Sequence, residues 1–355
     1  MCSSDLGAPI CQIASSDYLD KDVYLNIRAF YRSAGYRIIA PGIHWHGPVD
    51  LLVVLRGDNG SDFQDFEGAI HIYDYVKEYK VDWQRRYPHA ASLHLVTLAV
   101  SSPGSSESPE ACCSRIKPVD AYLPVIPALW SCAWRRKRSR PVHVSNFKRM
   151  GGDAYQQDLL TLIGSAQVKA YGGNWHLAGV RARPLSYRQA NRVLAASAHC
   201  FGLMWPYQRG RTLSGRMWQA PLNGCFVLSE TGTDILGCPG VLERQVFDAS
   251  AAELDCSESA CRALASEASR FWEAHTRSLA SALGLDPGLC LTGPILWPER
   301  FRLLLWDLEF RSERILNQSA GWLGAILRPV RRGMGSLARR LGVHPRHWAE
   351  RRGRS

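Results

Sequence analysis

Leu51-Leu-Val-Val-Leu55 is a run of five apolar residues brought to a stop by Arg56-Gly-Asp-Asn-Gly60. A run this short and this uniformly apolar suits a strand buried on both faces of a parallel sheet; a half-solvated antiparallel strand would alternate. Similar runs occupy Ile10–Ala14, Tyr36–Ala40 and Leu93–Val100, the last closed by Ser101-Ser-Pro-Gly104, with a weaker one at Ala69–Tyr73. Between the first two, Asp20–Ala34 places Val23, Ile27, Phe30 and Tyr31 at helical spacing and ends against Gly35, where a C′ glycine belongs. Strand and helix patterns in alternation predict an α/β layer.

The rhythm resumes after a Ser/Pro/Gly-rich stretch at 101–109 and the basic segment Arg135-Arg-Lys-Arg-Ser-Arg140. Strands are expected at Val142–Phe147, Gln167–Tyr171, Cys200–Met204 and Cys225–Ser229. Helices are expected at Ala154–Ile163, Ser186–Ser197, Ser214–Leu222 and Cys256–Leu283, the last with Asp255 as N-cap and Gly284 as C′ residue. A chain of 355 residues is long enough for two such domains. The expected division is 1–134, a linker at 135–141, 142–297, a helix over 298–327 returning to the first domain, and a basic tail at 328–355. The fold class expected is α/β, as two doubly wound, Rossmann-like domains facing a cleft.

Charge is segregated. Residues 328–355 hold nine arginines and one glutamate, +8 of the chain's net +11, so the remainder is close to neutral. That balance argues against a nucleic-acid groove in the body of the protein. The tail interleaves Leu323, Leu327, Val330, Met334, Leu337 and Leu341 with arginines, a basic amphipathic pattern suited to an anionic membrane surface, although Pro329, Gly333 and Gly335 weaken a continuous helix. Neither a spanning apolar run nor a secretory leader pattern is present, and eleven cysteines without a C-x-x-C pair read as reduced thiols. A cytoplasmic protein, peripheral on the inner face of a membrane, is the expectation.

The most informative stretch runs from Leu213 to Gly232: Leu213-Ser-Gly-Arg216-Met-Trp-Gln219-Ala-Pro-Leu-Asn-Gly224 hands directly to Cys225-Phe-Val-Leu-Ser229. It reads as a helix closed by Gly224 and followed by a buried strand ending in small polar residues, where ligands sit in open α/β sheets. This segment, with Leu185–Leu203 and Val168–Trp175, resembles nucleotide-sugar glycosyltransferases of the GT-B fold, nearest to family-4-like and CgeB-like bacterial enzymes. The resemblance covers roughly residues 142–285. It implies transfer of a sugar from a nucleotide-sugar donor to a glycan, lipid or protein acceptor, without a metal or other cofactor.

The family-4 pattern places two glutamates eight positions apart at the donor site; Arg211 and Gln219 stand there in this chain. Gln219 can hydrogen-bond a hydroxyl but supplies no carboxylate, and Pro221 threatens the helix. Arg209, Arg211 and Arg216, with Lys148 after the first strand, are the cationic groups suited to a diphosphate, helped by a helix N-terminus. Asn174 is a candidate for the base or sugar pocket, and Trp175 reads equally as pocket wall or core. The resemblance puts a general base at the first domain's strand ends, where Asp58 and His46 are eligible. His44-x-His46 lacks a third metal ligand at motif spacing, and Asp20-Lys-Asp22 opens a helix instead of closing a strand, so neither reads as a metal site. Against the enzyme stands a catalytically inactive scaffold of the same fold, or a basic nucleic-acid-associated protein using Arg135–Arg140 and the tail.

Overall fold

The computed structural model describes residues 8–15, 21–39, 47–55, 63–74, 82–98, 116–147, 153–204, 209–210, 212–230, 232–243 and 256–286. The chain forms two compact units. The first runs to Pro124 and includes the chain again from Thr276; the second spans Val125–His275. The basic tail and the 298–327 helix expected from sequence lie outside the described residues.

In the first unit the elements follow as β1 (Ile10–Ser15), α1 (Lys21–Ser33), β2 (Arg37–Ile39), β3 (Leu51–Leu55), β4 (Ala69–Tyr73), α2 (Trp83–Arg86), β5 (Ser92–Thr97) and β6 (Ile116–Asp120). The six strands are parallel, in the order β2-β1-β3-β4-β5-β6. All five residues of β3 are buried, as its unbroken apolar run requires. Helix α1 buries the stripe Val23, Ile27, Phe30 and Tyr31. Strand β6 has no such signal: it is Ile-Lys-Pro-Val-Asp, and Pro118 fits because an edge strand leaves one row of N–H groups unused.

The second unit contains α3 (Pro127–Trp130), β7 (Val142–Val144), α4 (Ala154–Gly164), β8 (Lys169–Tyr171), a 3-10 turn (Trp175–Ala178), α5 (Tyr187–Ala195), β9 (His199–Gly202), α6 (Arg216–Gln219), a second 3-10 turn (Pro221–Asn223), β10 (Phe226–Ser229) and β11 (Val241–Glu243). The helix α7 (Glu258–Ala282) follows, passing to the first unit at Thr276. These five strands are also parallel, in the order β11-β10-β9-β7-β8. Read from its own first strand, the first sheet is ordered 2-1-3-4-5-6 and the second 2-1-3-4-5, each a doubly wound arrangement with one reversal of strand order.

Three sequence expectations shift. The units divide at Val125, ahead of the segment expected to link them, because Arg138 is woven into the second unit: its N–H donates to Ala196 O at 2.9 Å and its carbonyl accepts from Ala198 N at 3.0 Å. Strand β7 stops at Val144, where Gly172 crosses so closely that an ideal Cβ would lie 1.9 Å from the Ser145 carbonyl oxygen. The helix expected over Ser214–Leu222 is one turn of α-helix followed by a 3-10 turn beginning at Pro221, whose missing N–H ends the i→i−4 ladder.

Gly224 does what its position promised. Its φ is +64°, and a Cβ would meet the Cys261 carbonyl oxygen of α7 at 2.4 Å, so conformation and space both require glycine. Beside it Asn223 accepts from Cys132 N at 2.9 Å and donates to Trp130 O at 3.1 Å and Gln219 O at 2.7 Å, latching the α3 region to this turn.

Candidate functional site

In the second unit the strand order reverses between β7 and β9. In doubly wound sheets such a reversal is where ligands bind, at the carboxyl ends of the two strands. Arg216, the first residue of α6, projects between those ends: Nη1 donates to the Val144 carbonyl at 3.0 Å and Nη2 to the Leu203 carbonyl at 2.5 Å. The two carbonyls fix the guanidinium plane without cancelling its charge. Next to it His143 is fully buried in β7 and donates from Nδ1 to Phe201 O at 3.1 Å. Burial, reinforced by the Arg216 charge, lowers the His143 pKa to about 3, so the imidazole is neutral at physiological pH.

A second arginine ties the same rim together. Arg209 Nη2 donates to Asp153 Oδ2 at 2.7 Å and to Met204 O at 3.3 Å, while its Nε lies 2.7 Å from Glu230 Oε2. Asp153 is the N-cap of α4, accepting from Gln156 N at 2.8 Å, and its side chain is only 5% exposed. Glu230 directly follows β10, and partial burial raises its carboxyl pKa, with Arg209 opposing the shift and Asp153 adding to it. Below, the Tyr155 hydroxyl reaches Gly202 O at 3.1 Å and Leu228 O at 3.3 Å, pinning the ends of β9 and β10. The arrangement offers an oriented guanidinium at the strand-order reversal and a half-buried carboxylate at the end of the next strand, β10, suited to an anion beside a hydroxyl-bearing group.

The sequence-predicted residues fall unevenly on this rim. Arg216 and Arg209 belong to it, but Arg209 is spent on two carboxylates. Gln219 is buried, and Asn223 donates to its carbonyl. Asn174 is exposed after the edge strand β8, in a left-handed conformation (φ +65°). Trp175 is core: 3% exposed, packed edge-on against His143 and donating to Ser145 O at 2.8 Å. With α6 only one turn long, the expected helix N-terminus contributes little field there. Asp58, His46, Arg211 and Lys148 lie outside the described residues. Glu230 and Asp153 were not singled out in the sequence. Glu230 carried one usable signal, an acid immediately after a buried strand.

In the first unit, Tyr31, His71 and Tyr73 form a buried chain, with the Tyr31 hydroxyl 2.7 Å from His71 Nδ1 and 2.8 Å from the Tyr73 hydroxyl. It lies within the sheet and the α1 face, and burial lowers the His71 pKa to about 3. Among the described residues, no group of three or more His, Cys, Asp and Glu is placed to hold a metal ion, and no helix is long and apolar enough to cross a membrane.

No protein-family model matches the sequence, and no curated protein matches it. Solved structures similar to it include Anabaena HepE in complex with UDP and glucose, at 11% identity and a TM-score of 0.49, covering 78% of this chain and 99% of that one. An α-glucosyltransferase in complex with UDP-glucose and DNA containing an abasic site is similar at 10% identity and a TM-score of 0.49, over 76% of this chain and 95% of that one. A DNA-modifying β-glucosyltransferase is similar at 9% identity and a TM-score of 0.48, over 78% of this chain and all of that one.

Proposed function

We propose that the chain is a nucleotide-sugar-dependent glycosyltransferase whose second unit holds the donor. The observation that carries the reading is Arg216: a guanidinium fixed by two strand-end carbonyls at the one reversal of strand order in its sheet, where doubly wound folds bind ligands. It lies in the segment whose sequence resembles the GT-B donor site.

In this reading Arg216 binds the donor diphosphate and stabilises the charge that develops on it as the sugar departs, a role that needs no metal. Glu230, held by Arg209, accepts hydrogen bonds from ribose or sugar hydroxyls and supplies the carboxylate that Gln219 cannot. The acceptor and its general base belong to the first unit's strand ends, with Asp58 and His46 as candidates. The basic tail holds the protein at an anionic membrane surface, a role that vesicle co-sedimentation with and without residues 328–355 would test.

The test is calorimetric titration of UDP- and GDP-sugars into the full chain and into Arg216→Lys, which keeps the charge but loses the two-pronged fork. One nucleotide sugar should bind the parent chain, and the variant, still folded at the assay temperature although it loses part of the bonding to the strand ends, should bind it about tenfold to a hundredfold more weakly. Turnover should persist in EDTA. Donor binding without turnover would favour the inactive scaffold, consistent with Gln219 in place of Glu. No binding of any nucleotide or nucleotide sugar would overturn the reading.

A further inference from the structure

A cavity of about 450 Å³ lies away from the Arg216 rim, between α5 and the edge strand β8 of the same unit. Six cations line it: Arg135, Arg138 and Arg140 from the segment entering β7, Lys169 from β8, Arg183 from the strand-like stretch paired with Tyr171, and Arg192 from α5. No acidic residue is among the lining residues. Its wall is apolar where Val142, Tyr171 and Val193 meet the core beneath α5, and Lys169 Nζ rests 5.3 Å from the centre of the Tyr171 ring.

This crowding of like charge is unfavourable in the empty cavity, and a folded surface ordinarily relieves it by interspersing carboxylates, as Arg262 is relieved by Glu258 at 2.7 Å on α7. The segment that carries three of the cations is fixed in place, since Arg138 is hydrogen-bonded through both backbone groups to the end of α5. The charges are therefore held together by the fold, around a space the size of a small-molecule pocket. All six are exposed, so their attraction for an anion is screened in part and falls with salt.

We infer that this cavity is a second, separate site for a small polyanion of the polyphosphate class, an inorganic or nucleoside polyphosphate, bound by bidentate guanidinium contacts. A nucleic-acid backbone would be met by cations set along a stripe; these converge on one cavity, which favours a compact ligand. The inference does not depend on the donor site, because neither Arg216 nor Arg209 lines the cavity.

The experiment titrates inorganic tripolyphosphate, and separately a nucleoside triphosphate, into the full chain by calorimetry at low and at physiological ionic strength. Saturable binding that weakens with salt is expected. Each arginine removed should cost roughly tenfold or more in affinity, so Arg138→Ala/Arg192→Ala should weaken binding by about a hundredfold. Arg216→Lys should leave tripolyphosphate binding unchanged, and any part of the nucleoside-triphosphate isotherm that Arg216→Lys alone removes belongs to the donor site. Tighter binding of the nucleoside triphosphate would assign the ring a place against Tyr171; equal binding would assign inorganic polyphosphate. Should the double variant melt early, Arg140→Gln/Lys169→Gln replaces it. Absence of saturable binding, or binding that both double variants retain, overturns the inference. So does a single-stranded oligonucleotide that displaces tripolyphosphate at equal phosphate concentration, which would make the surface a nucleic-acid contact.

Discussion

The second unit uses arginine in two opposite ways. On the carboxyl rim of the sheet, Arg209 and Arg216 are each bonded to protein acceptors: two carboxylates and a carbonyl for the first, two strand-end carbonyls for the second. Around the α5–β8 cavity, six cations gather with no carboxylate among the lining residues. The rim arginines hold the site's own architecture together, so their removal should damage the fold as well as the chemistry. The cavity arginines are supported by backbone that does not depend on their charge, so their removal should cost only ligand. The same substitution, Arg→Ala, should therefore lower both stability and binding at the rim and binding alone at the cavity.

The strongest test of that contrast is Arg216→Ala. It strands the carbonyls of Val144 and Leu203 at the reversal point, and charge-assisted bonds of this kind contribute about 1.5–3 kcal/mol each before relaxation and water offset part of the loss. A net destabilisation of roughly 2–4 kcal/mol is expected, read from the urea midpoint at unchanged slope. A loss below about 0.5 kcal/mol would make Arg216 an ordinary surface cation and erase the distinction.

Asp153 should give a smaller, divisible effect. Asp153→Ala removes both the α4 N-cap and one partner of Arg209, for a loss of roughly 1–3 kcal/mol; Asp153→Asn keeps the cap and should recover about half of it. Chemical denaturation of the two variants separates the terms. If Asn recovers everything, the Arg209 ion pair adds no stability, and the rim resembles the cavity more closely than its geometry suggests.

Much of the second unit was legible because its signals are local. The apolar run at Cys225–Ser229 and the glycine before it act within a few residues, and β10 and the Gly224 turn lie where those signals put them; α5 falls inside its expected span Ser186–Ser197, held by a capping box of Ser186 and Gln189 that the structure shows. The limits of β7 and α6 were not, for two different reasons. The close approach of Gly172 to Ser145 at the end of β7 is a tertiary contact, whereas Pro221 was visible but only the fold decides how a helix terminates. Strand β6 escaped notice because an edge strand can keep a proline and polar residues that a central strand would reject. At the site, Arg216 could be found from its motif. The Asp153–Arg209–Glu230 cluster could not, because its members lie on three separate connections and meet only when β7, β9 and β10 stand side by side. The cavity is the reverse case: its basic segment was conspicuous in sequence and read as a linker, since charge density alone does not say whether a stretch spans two domains or folds back against one.

The smallest expected effect carries the comparison to its other end. Arg140 is exposed, lines the cavity and has only cations for charged company there. Arg140→Gln should therefore leave stability unchanged or raise it by a few tenths of a kcal/mol, because it relieves repulsion without unpairing any acceptor. The gain should be largest at low ionic strength and vanish near 1 M salt, where the Debye length contracts to about 3 Å. The Arg216→Ala loss, carried by half-buried bonds to carbonyls, should persist across the same range. Saturating tripolyphosphate should invert the sign at Arg140: the parent chain gains stability from the bound anion by mass action, and the variant, binding more weakly, gains less. Thermal denaturation of both chains across a salt series, with and without tripolyphosphate, reads all of these at once. A salt-independent loss at Arg140 would mean that its charge has a partner in the fold, and the two regions would then use arginine alike.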